Sequence, residues 1–163
     1  MSDPFANIQL VTPLDGATLQ SVGVPAGWNF GLADRVRFHE LDALNHVNNV
    51  AYLRWFESLR IPYFQAYGIT TYASEDDPQV VLATNSARYF KPMHLGESYV
   101  ITGRTISFRS SSFVMEYGCW VDGDLRCSGE SVIVCLEQDG KTKRPLSTAV
   151  AQTFIDRDGA TQG

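Results

Sequence analysis

A helical repeat of apolar residues between Asn48 and Gly68 is the feature that most constrains the fold of this chain. Asparagine is a favourable helix N-cap and glycine often follows a helix C-terminus, so these two residues mark the predicted ends. The large apolar side chains between them recur every three or four residues and form one stripe: Tyr52, Phe56, Leu59, Tyr63 and Tyr67. Because such a stripe must be buried, we predict one long helix packed against another layer.

Nearly all of the chain after this helix has the pattern of β-strands. Four segments are rich in valine, isoleucine, threonine and aromatic residues: 79–90, 97–108, 112–121 and 125–137. Asp122-Gly123 separates the last two and is typical of a two-residue hairpin turn. The alternating segment 35–39 predicts one more strand before the helix. These elements predict an α+β domain in which an antiparallel sheet of about five to six strands is folded around one long helix.

The two ends of the chain lack this regular pattern. Residues 1–32 contain frequent glycine and proline without sustained periodicity, so we predict an N-terminal extension that packs on the domain through Trp28 and Phe30. The domain itself is predicted to span residues 33–155. Residues 156–163 are predicted to form a loose C-terminal tail.

The composition argues against several classes of partner. Eighteen acidic and thirteen basic residues give a net charge of −5, whereas nucleic acids and anionic membranes select clustered lysine and arginine. No run of about 18 apolar residues is present, so we expect no membrane span. The three cysteines have no CxxC spacing and are predicted to be small core residues in a cytoplasmic protein: Cys119, Cys127 and Cys135.

The polar segment that leads into the predicted helix is the chemically distinctive part of the sequence. A helix N-terminus presents unpaired N–H groups and a partial positive charge, so it stabilises an oxygen that gains negative charge in a transition state. Asp42 lies close enough in sequence to fold its carboxylate back toward Asn49 at that end. This pairing suits hydrolysis of an activated acyl group. A thioester is favoured as the substrate because a thiol with a pKa near ~8.5 leaves readily as thiolate.

Two segments also carry a resemblance to a known family. The first is Asp42-Ala43-Leu44-Asn45-His46-Val47-Asn48-Asn49, followed by Tyr52 and by Phe56-Glu57-x-x-Arg60, and the second runs from Arg88 to Glu97. Together they resemble the acyl-CoA thioesterases of the 4-hydroxybenzoyl-CoA thioesterase family, which have the hot-dog fold. The resemblance covers about residues 33–148, and the family usually has glycine where this chain has Asn45.

The resemblance implies roles for the polar residues of the first segment. Asp42 would be the catalytic carboxylate, which activates water or attacks the carbonyl carbon to form a transient anhydride. The main-chain N–H of Asn49 would bind the carbonyl oxygen, while His46, Asn45 and Asn48 would position water or the thioester. Considered by itself, His46 either transfers a proton or orients the loop through hydrogen bonds. The candidate substrate-binding residues are Asn45, Asn48 and Tyr52, together with Arg88 and Lys91, whose charges suit the phosphates of coenzyme A.

Some of these residues also have a simpler structural interpretation. Aspartate is common in turns, so Asp42 can cap the loop. Asn48 and Asn49 are helix-capping residues, and Glu57 is placed for an ion pair with Arg60 at i+3. The three histidines are scattered without the spacing of metal ligands, so we predict no metal site.

The resemblance implies hydrolysis of an acyl-CoA to the free acid and CoA, without a metal or organic cofactor. It also implies a homodimer or homotetramer with active sites between subunits. One alternative is a hot-dog hydratase or dehydratase for a 2-enoyl thioester, although Asp42 and His46 do not match the loop spacing of those enzymes. A second alternative is a domain that binds acyl-CoA without turning it over. The sequence leaves the acyl group open.

Overall fold

The computed structural model describes residues 3–163, which fold into a sheet packed on one long helix. The elements in chain order are α1 (Gly16–Ser21), β1 (Gly31–Arg35), a 3-10 turn (Phe38–Glu40), α2 (Asn49–Ala66), β2 (Gln79–Tyr89), β3 (Ser98–Phe108), β4 (Ser112–Val121), β5 (Asp124–Leu136), α3 (Thr148–Asp158) and β6 (Thr161–Gln162). The predicted α+β class is confirmed.

The central helix α2 begins and ends close to where the sequence predicts. The side-chain oxygen of Asn48 accepts a hydrogen bond of 2.9 Å from the Val50 N–H, which satisfies one of the unpaired donors of the first turn. Gly68 follows the last turn with a φ of +74°, a conformation that glycine adopts at little cost. The predicted apolar stripe is buried throughout: Tyr52, Phe56, Leu59, Tyr63 and Tyr67.

The strands form a single six-stranded sheet in the order β1-β3-β4-β5-β2, with β6 added beside β3. All pairs on the main path are antiparallel, and only β6 pairs in parallel. The turn between β4 and β5 has positive φ at Asp122 (49°) and Gly123 (76°), which confirms the predicted hairpin. The helix approaches the sheet closely at Gly129, where an added Cβ would lie 2.6 Å from the Phe56 ring.

The predicted strand over residues 35–39 is wrong. The strand β1 ends at Arg35, and Phe38–Glu40 forms the 3-10 turn instead. The Glu40 carboxylate accepts the Arg37 N–H at 2.9 Å, while the Glu40 N–H donates to the Arg37 carbonyl at 3.0 Å. These two bonds close the backbone into a turn, so the chain leaves the sheet before the polar loop begins.

The N-terminal segment packs on the outer face of the sheet. Trp28 and Phe30 are buried, as the sequence predicts. A second apolar cluster joins side chains of this segment, Leu19 among them, to Val100 and Trp120. The segment also runs along the outer edge of β1, where Val11 donates to the Ala33 carbonyl and residues 14 and 31 form an antiparallel bridge.

The C-terminal residues differ from the loose tail expected for 156–163. The helix α3 continues to Asp158, and β6 pairs with Ser107 and Phe108 at the end of β3. The Asp158 carboxylate accepts hydrogen bonds from the Tyr63 and Tyr67 hydroxyls and from the Thr105 N–H. These contacts hold the end of α3 against both the central helix and the sheet.

The cysteines lie where the sequence predicts, in the core. Cys119, Cys127 and Cys135 are free thiols and are buried. Burial raises the pKa of Cys127 to about 12 and that of Cys135 to about 11, so both thiols stay protonated. Within residues 3–163, no helix combines the length and apolar character needed to cross a bilayer.

Candidate functional site

The loop before α2 is a tight turn organised around Asp42. Its main chain closes through an Asp42 N–H bond to the His46 carbonyl at 2.8 Å. The Oδ1 atom of Asp42 accepts from the Leu44 N–H at 2.8 Å and from the His46 N–H at 3.3 Å. Within residues 3–163, the second carboxylate oxygen, Oδ2, accepts no hydrogen bond. Asp42 therefore holds the turn with one oxygen and presents the other to solvent.

Asn45 occupies the position of this turn that requires a left-handed backbone. Its φ is +60°, and its N–H donates to the Asp42 carbonyl at 3.1 Å. Asparagine is among the few residues other than glycine that tolerate this conformation. Asn45 therefore fits this left-handed position and adds a polar side chain to the loop.

A cavity of 390 Å³ opens beside the first turn of α2. Its lining includes five of the residues singled out in the sequence: Asp42, His46, Asn49, Tyr52 and Lys91. The edge strand β2 supplies Tyr89 to the wall, and Phe90 follows directly after it. Three other predicted site residues do not line this cavity: Asn45, Asn48 and Arg88.

Asn49, the first residue of α2, lines this cavity. Asn48 uses its side-chain oxygen to cap the Val50 N–H, so that oxygen is already engaged within the helix. The Asn49 N–H has no hydrogen-bond acceptor in the described part of the chain. A donor of this kind at a helix N-terminus is suited to an anion or to a carbonyl oxygen that gains charge.

Tyr89 of the edge strand β2 contacts α2 at Asn49 and Tyr52. The Tyr89 hydroxyl donates to the Asn49 carbonyl at 2.9 Å, and its ring packs edge-on against Tyr52 with centroids 5.3 Å apart. Tyr52 is only 3% exposed, and its hydroxyl has no hydrogen-bond partner among residues 3–163. Burial raises the pKa of Tyr52, so its hydroxyl remains a neutral donor.

The two predicted basic residues differ in their surroundings. The Lys91 ammonium forms an ion pair with Asp124 at 3.0 Å at the mouth of the cavity. Arg88 precedes Tyr89 in β2, so its side chain points to the opposite face of the sheet. Its guanidinium lies 5.2 Å from the Phe90 ring centroid, and no carboxylate of the described chain lies within 4.0 Å of it.

The structure also brings two residues to the site that sequence reasoning did not select. The His94 ring packs perpendicular to the His46 ring at a centroid distance of 5.1 Å. Arg126 donates to the Pro92 carbonyl at 2.8 Å and lies 3.6 Å from the Glu97 carboxylate, so it supports the turn that carries His94. His94 could have been selected because it lies in the segment from Arg88 to Glu97 that carries the family resemblance. Arg126 belongs to β5, and no sequence motif around it indicates a role at this site.

Glu57 lies further along α2, with its carboxylate 3.9 Å from the Arg60 guanidinium. Arg60 is buried and also donates to the Tyr117 hydroxyl at 3.2 Å. The predicted i+3 ion pair is therefore present. Within residues 3–163, no group of three or more histidine, cysteine, aspartate or glutamate side chains is arranged to hold a metal ion.

Comparison with known proteins shows that the chain is similar to thioesterases. The family model of the thioesterase-like superfamily matches residues 36–154. A thioesterase superfamily structure from Jannaschia sp. CCS1 is 44% identical, with a TM-score of 0.89, and the alignment covers 93% of this chain and 97% of that chain.

Two further relatives extend the comparison. A thioesterase from Thermus thermophilus, solved in complex with coenzyme A and Zn, is 30% identical with a TM-score of 0.69, and the alignment covers 83% of this chain and 98% of that chain. The protein THEM6 of Danio rerio is 29% identical over 82 residues, which cover 50% of this chain. This match spans only 41% of the length of THEM6.

Proposed function

Because the chain belongs to the thioesterase-like superfamily, we propose that it hydrolyses an acyl-CoA thioester to the free acid and CoA. The observation that carries the proposal is the shared cavity of Asp42 and the N-terminus of α2. A carboxylate with one unpaired oxygen and a free N–H group thus border one space. A thioester carbonyl placed between them would meet a base or nucleophile on one side and a hydrogen-bond donor on the other.

In the proposed reaction, Asp42 acts through its Oδ2 atom. In one route this oxygen takes a proton from water, and the resulting hydroxide attacks the thioester carbon. In the other route the carboxylate itself attacks that carbon to give an anhydride, which water then hydrolyses. Both routes form a tetrahedral species whose oxyanion accepts a hydrogen bond from the Asn49 N–H. The C–S bond then breaks, and CoA leaves as a thiolate that takes up a proton.

The other cavity residues have supporting roles in this proposal. His46 donates its main-chain N–H to Asp42 and contacts His94, so it orients the loop and can relay a proton. The Tyr52 hydroxyl has no internal partner and is free to donate to substrate or water. Asn48 acts through the helix cap, and Asn45 through the shape of the turn.

The coenzyme A part of the substrate is proposed to contact basic residues near the cavity. The Thermus relative was solved with coenzyme A, which supports this class of substrate. Lys91 lines the cavity, but a phosphate must compete with Asp124 for its ammonium. Arg88 has no carboxylate within 4.0 Å in residues 3–163, so its charge is available for a phosphate from the other face of β2.

We further propose that the active unit is a homodimer or homotetramer. The strand β2 is the outer strand on its side of the sheet, and several of its apolar side chains are more than a third exposed: Val81, Leu82 and Tyr89. A second copy that pairs with this edge would cover these side chains and enclose the adjacent cavity. The reduced, buried cysteines support a reducing compartment, and we propose the cytoplasm.

A panel of acyl-CoAs with a colorimetric thiol reagent tests the proposed activity. We expect thiol release with at least one acyl chain, and a fall in kcat of about 10²-fold or more in Asp42→Asn, which removes the charge but keeps the shape. Asp76→Asn is the matched control, because Asp76 is exposed and its carboxylate makes no hydrogen bond in the described chain.

The same assay separates the alternatives. Full activity in Asp42→Asn would remove this residue from the mechanism. Acyl-CoA binding without any thiol release would support a binding domain. Loss of enoyl-CoA absorbance without thiol release would instead indicate a hydratase.

A further inference from the structure

A second cavity lies between α2 and the paired strands β1 and β3. It has a volume of 290 Å³ and shares no lining residue with the cavity of Asp42. Its volume is about ten times the ~30 Å³ that one water molecule occupies in the liquid. A chain or ring of about ten non-hydrogen atoms matches this space. The proposed thioesterase site does not account for this second cavity.

The inner wall of this cavity is largely apolar and includes a tyrosine hydroxyl that makes no hydrogen bond within the described chain. Trp55 and Tyr99 stack at a centroid distance of 4.1 Å, and Ile101 lies beside them in the wall. Tyr99 is only 2% exposed, yet its hydroxyl has no hydrogen-bond partner in residues 3–163. No buried side-chain nitrogen or oxygen of the described residues lacks a hydrogen-bond partner, so this unpaired hydroxyl keeps contact with solvent and is free to donate to a bound molecule.

The charges at the rim leave a positive group unpaired. Arg37 pairs with Asp34 at 3.1 Å. The two oxygens of Glu40 are occupied by the indole N–H of Trp55 and by the Arg37 main-chain N–H. Arg54 is exposed, and no carboxylate of the described chain lies within 4.0 Å of its guanidinium. The rim therefore offers an anion one cation that has no internal competitor.

Val11 of the N-terminal segment forms the lip of this cavity in a strained conformation. Its φ is +57°, which is unfavourable for a β-branched residue. A hydrogen bond of 2.8 Å from its N–H to the Ala33 carbonyl holds it there. The N-terminal segment is thus fixed at the edge of the cavity.

We propose that this cavity binds a small carboxylic acid with an apolar body. The carboxylate pairs with Arg54 at the rim, and the apolar body lies against Trp55 and Ile101. The Tyr99 hydroxyl provides the second polar contact. The assignment rests on this cavity alone, so it does not depend on thioester hydrolysis at Asp42.

Calorimetric titration with octanoate, which has the size the cavity requires, tests the proposal. Octylamine and 1-octanol serve as cationic and neutral probes of the same length. We expect octanoate to bind most tightly, and Arg54→Glu to weaken it by about tenfold or more, as expected for loss of a charged hydrogen bond. Tyr99→Phe should weaken it several-fold. Lys141→Glu makes the same change of charge at a distant exposed position and should leave the affinity unchanged.

A second readout locates the bound probe. The Trp55 indole N–H resonance should shift on addition of octanoate, and it should do so equally in Asp42→Asn. Octanoate affinity unchanged in both Arg54→Glu and Tyr99→Phe would overturn the proposal, as would equal binding of octylamine. Binding that disappears in Asp42→Asn would place octanoate in the other cavity and would also overturn it. If the protein releases no thiol from any acyl-CoA, we still expect the same octanoate-binding results, because the two cavities share no lining residue.

Discussion

The Tyr89 hydroxyl donates a hydrogen bond of 2.9 Å to the carbonyl of Asn49, which connects the edge strand β2 to the first residue of α2. The same residue, Asn49, presents the N–H that is proposed to bind the thioester oxygen. The position of this N–H relative to the wall of the cavity therefore depends on Tyr89. A contact from a distant strand fixes the orientation of the helix start more tightly than the loop alone can.

Expressed as free energies, Tyr89→Phe should raise the activation barrier for turnover more than it lowers the free energy of unfolding. Loss of one exposed hydrogen bond costs about 1 kcal/mol, which corresponds to roughly a fivefold effect on rate if it acts on the transition state. Steady-state kinetics with the best acyl-CoA measures kcat and KM, and urea unfolding measures stability. Tyr72→Phe is the control, since Tyr72 is also about half exposed and its hydroxyl makes no hydrogen bond in residues 3–163. Equal kcat values in the two variants would contradict the proposed role.

Replacement of Asn45 should test whether the loop before α2 requires a left-handed backbone at this residue. Because residue 45 has a φ of +60°, Asn45→Gly should keep or slightly raise stability, whereas Asn45→Val should destabilise the protein by about 1–2 kcal/mol. Urea unfolding followed by circular dichroism gives both values. The glycine variant should also retain activity, because the loop keeps its shape. A valine variant as stable as the glycine variant would show that the turn does not need a left-handed residue.

The turn after α2 should lose stability in acid because of Asp77. Its carboxylate accepts hydrogen bonds from the Thr71 hydroxyl and from nearby main-chain N–H groups, which lower its pKa from 3.8 to about 2. A carboxyl with a lowered pKa in the folded state stabilises the protein above its unfolded pKa, and this contribution is lost as the pH falls from 3.8 toward 2.

Asp77→Asn should therefore melt below the wild-type temperature at neutral pH, and the difference should shrink in acid. Thermal unfolding across a pH series from neutral to about 2 measures this convergence. Asp76→Asn provides the comparison, because its carboxylate makes no hydrogen bond in the described chain. A constant difference at every pH would exclude ionisation of Asp77 as the cause.

The three cysteines should be unreactive in the folded protein. All are buried, and burial raises the pKa of Cys127 to about 12, so very little thiolate forms at mildly alkaline pH. Titration with a disulfide reagent should detect no thiol before unfolding and all three after denaturation. Lys141→Cys, at an exposed site, should react at once. Rapid native reaction of the wild-type protein would show that the core opens readily, and would add background to the thiol-release assay.

Local sequence patterns predict the parts of this fold that depend on neighbouring residues. The stripe from Tyr52 to Tyr67, the cap at Asn48 and the Asp122-Gly123 turn each rest on contacts within a few positions along the chain. The loop from Asp42 to Asn49 could also be recognised because its residues are contiguous. Capping, periodicity and positive φ are all local effects, so one sequence is enough to indicate them.

Other features depend on contacts between distant segments and could not be predicted in this way. Arg126 reaches the turn at Pro92 only because of the strand pairing, and the ordering of α3 requires Asp158 to meet Tyr63. The strand expected at 35–39 was wrong because the Glu40 carboxylate closes a turn that alternation alone does not reveal. Long-range hydrogen bonds of this kind leave no periodic signal in the sequence.

The hydrogen bonds of residues 11–14 to β1, and of β6 to the far end of β3, close one side of the sheet along most of its length. Growth of the sheet by addition of further chains is then possible on one side only, at β2. In the proposed assembly, two molecules that pair at β2 would each cover the open edge of the other among the described strands, so extension of the sheet would stop at this pair. By covering the edge of β1, the N-terminal segment would in this assembly prevent end-to-end polymerisation into fibres.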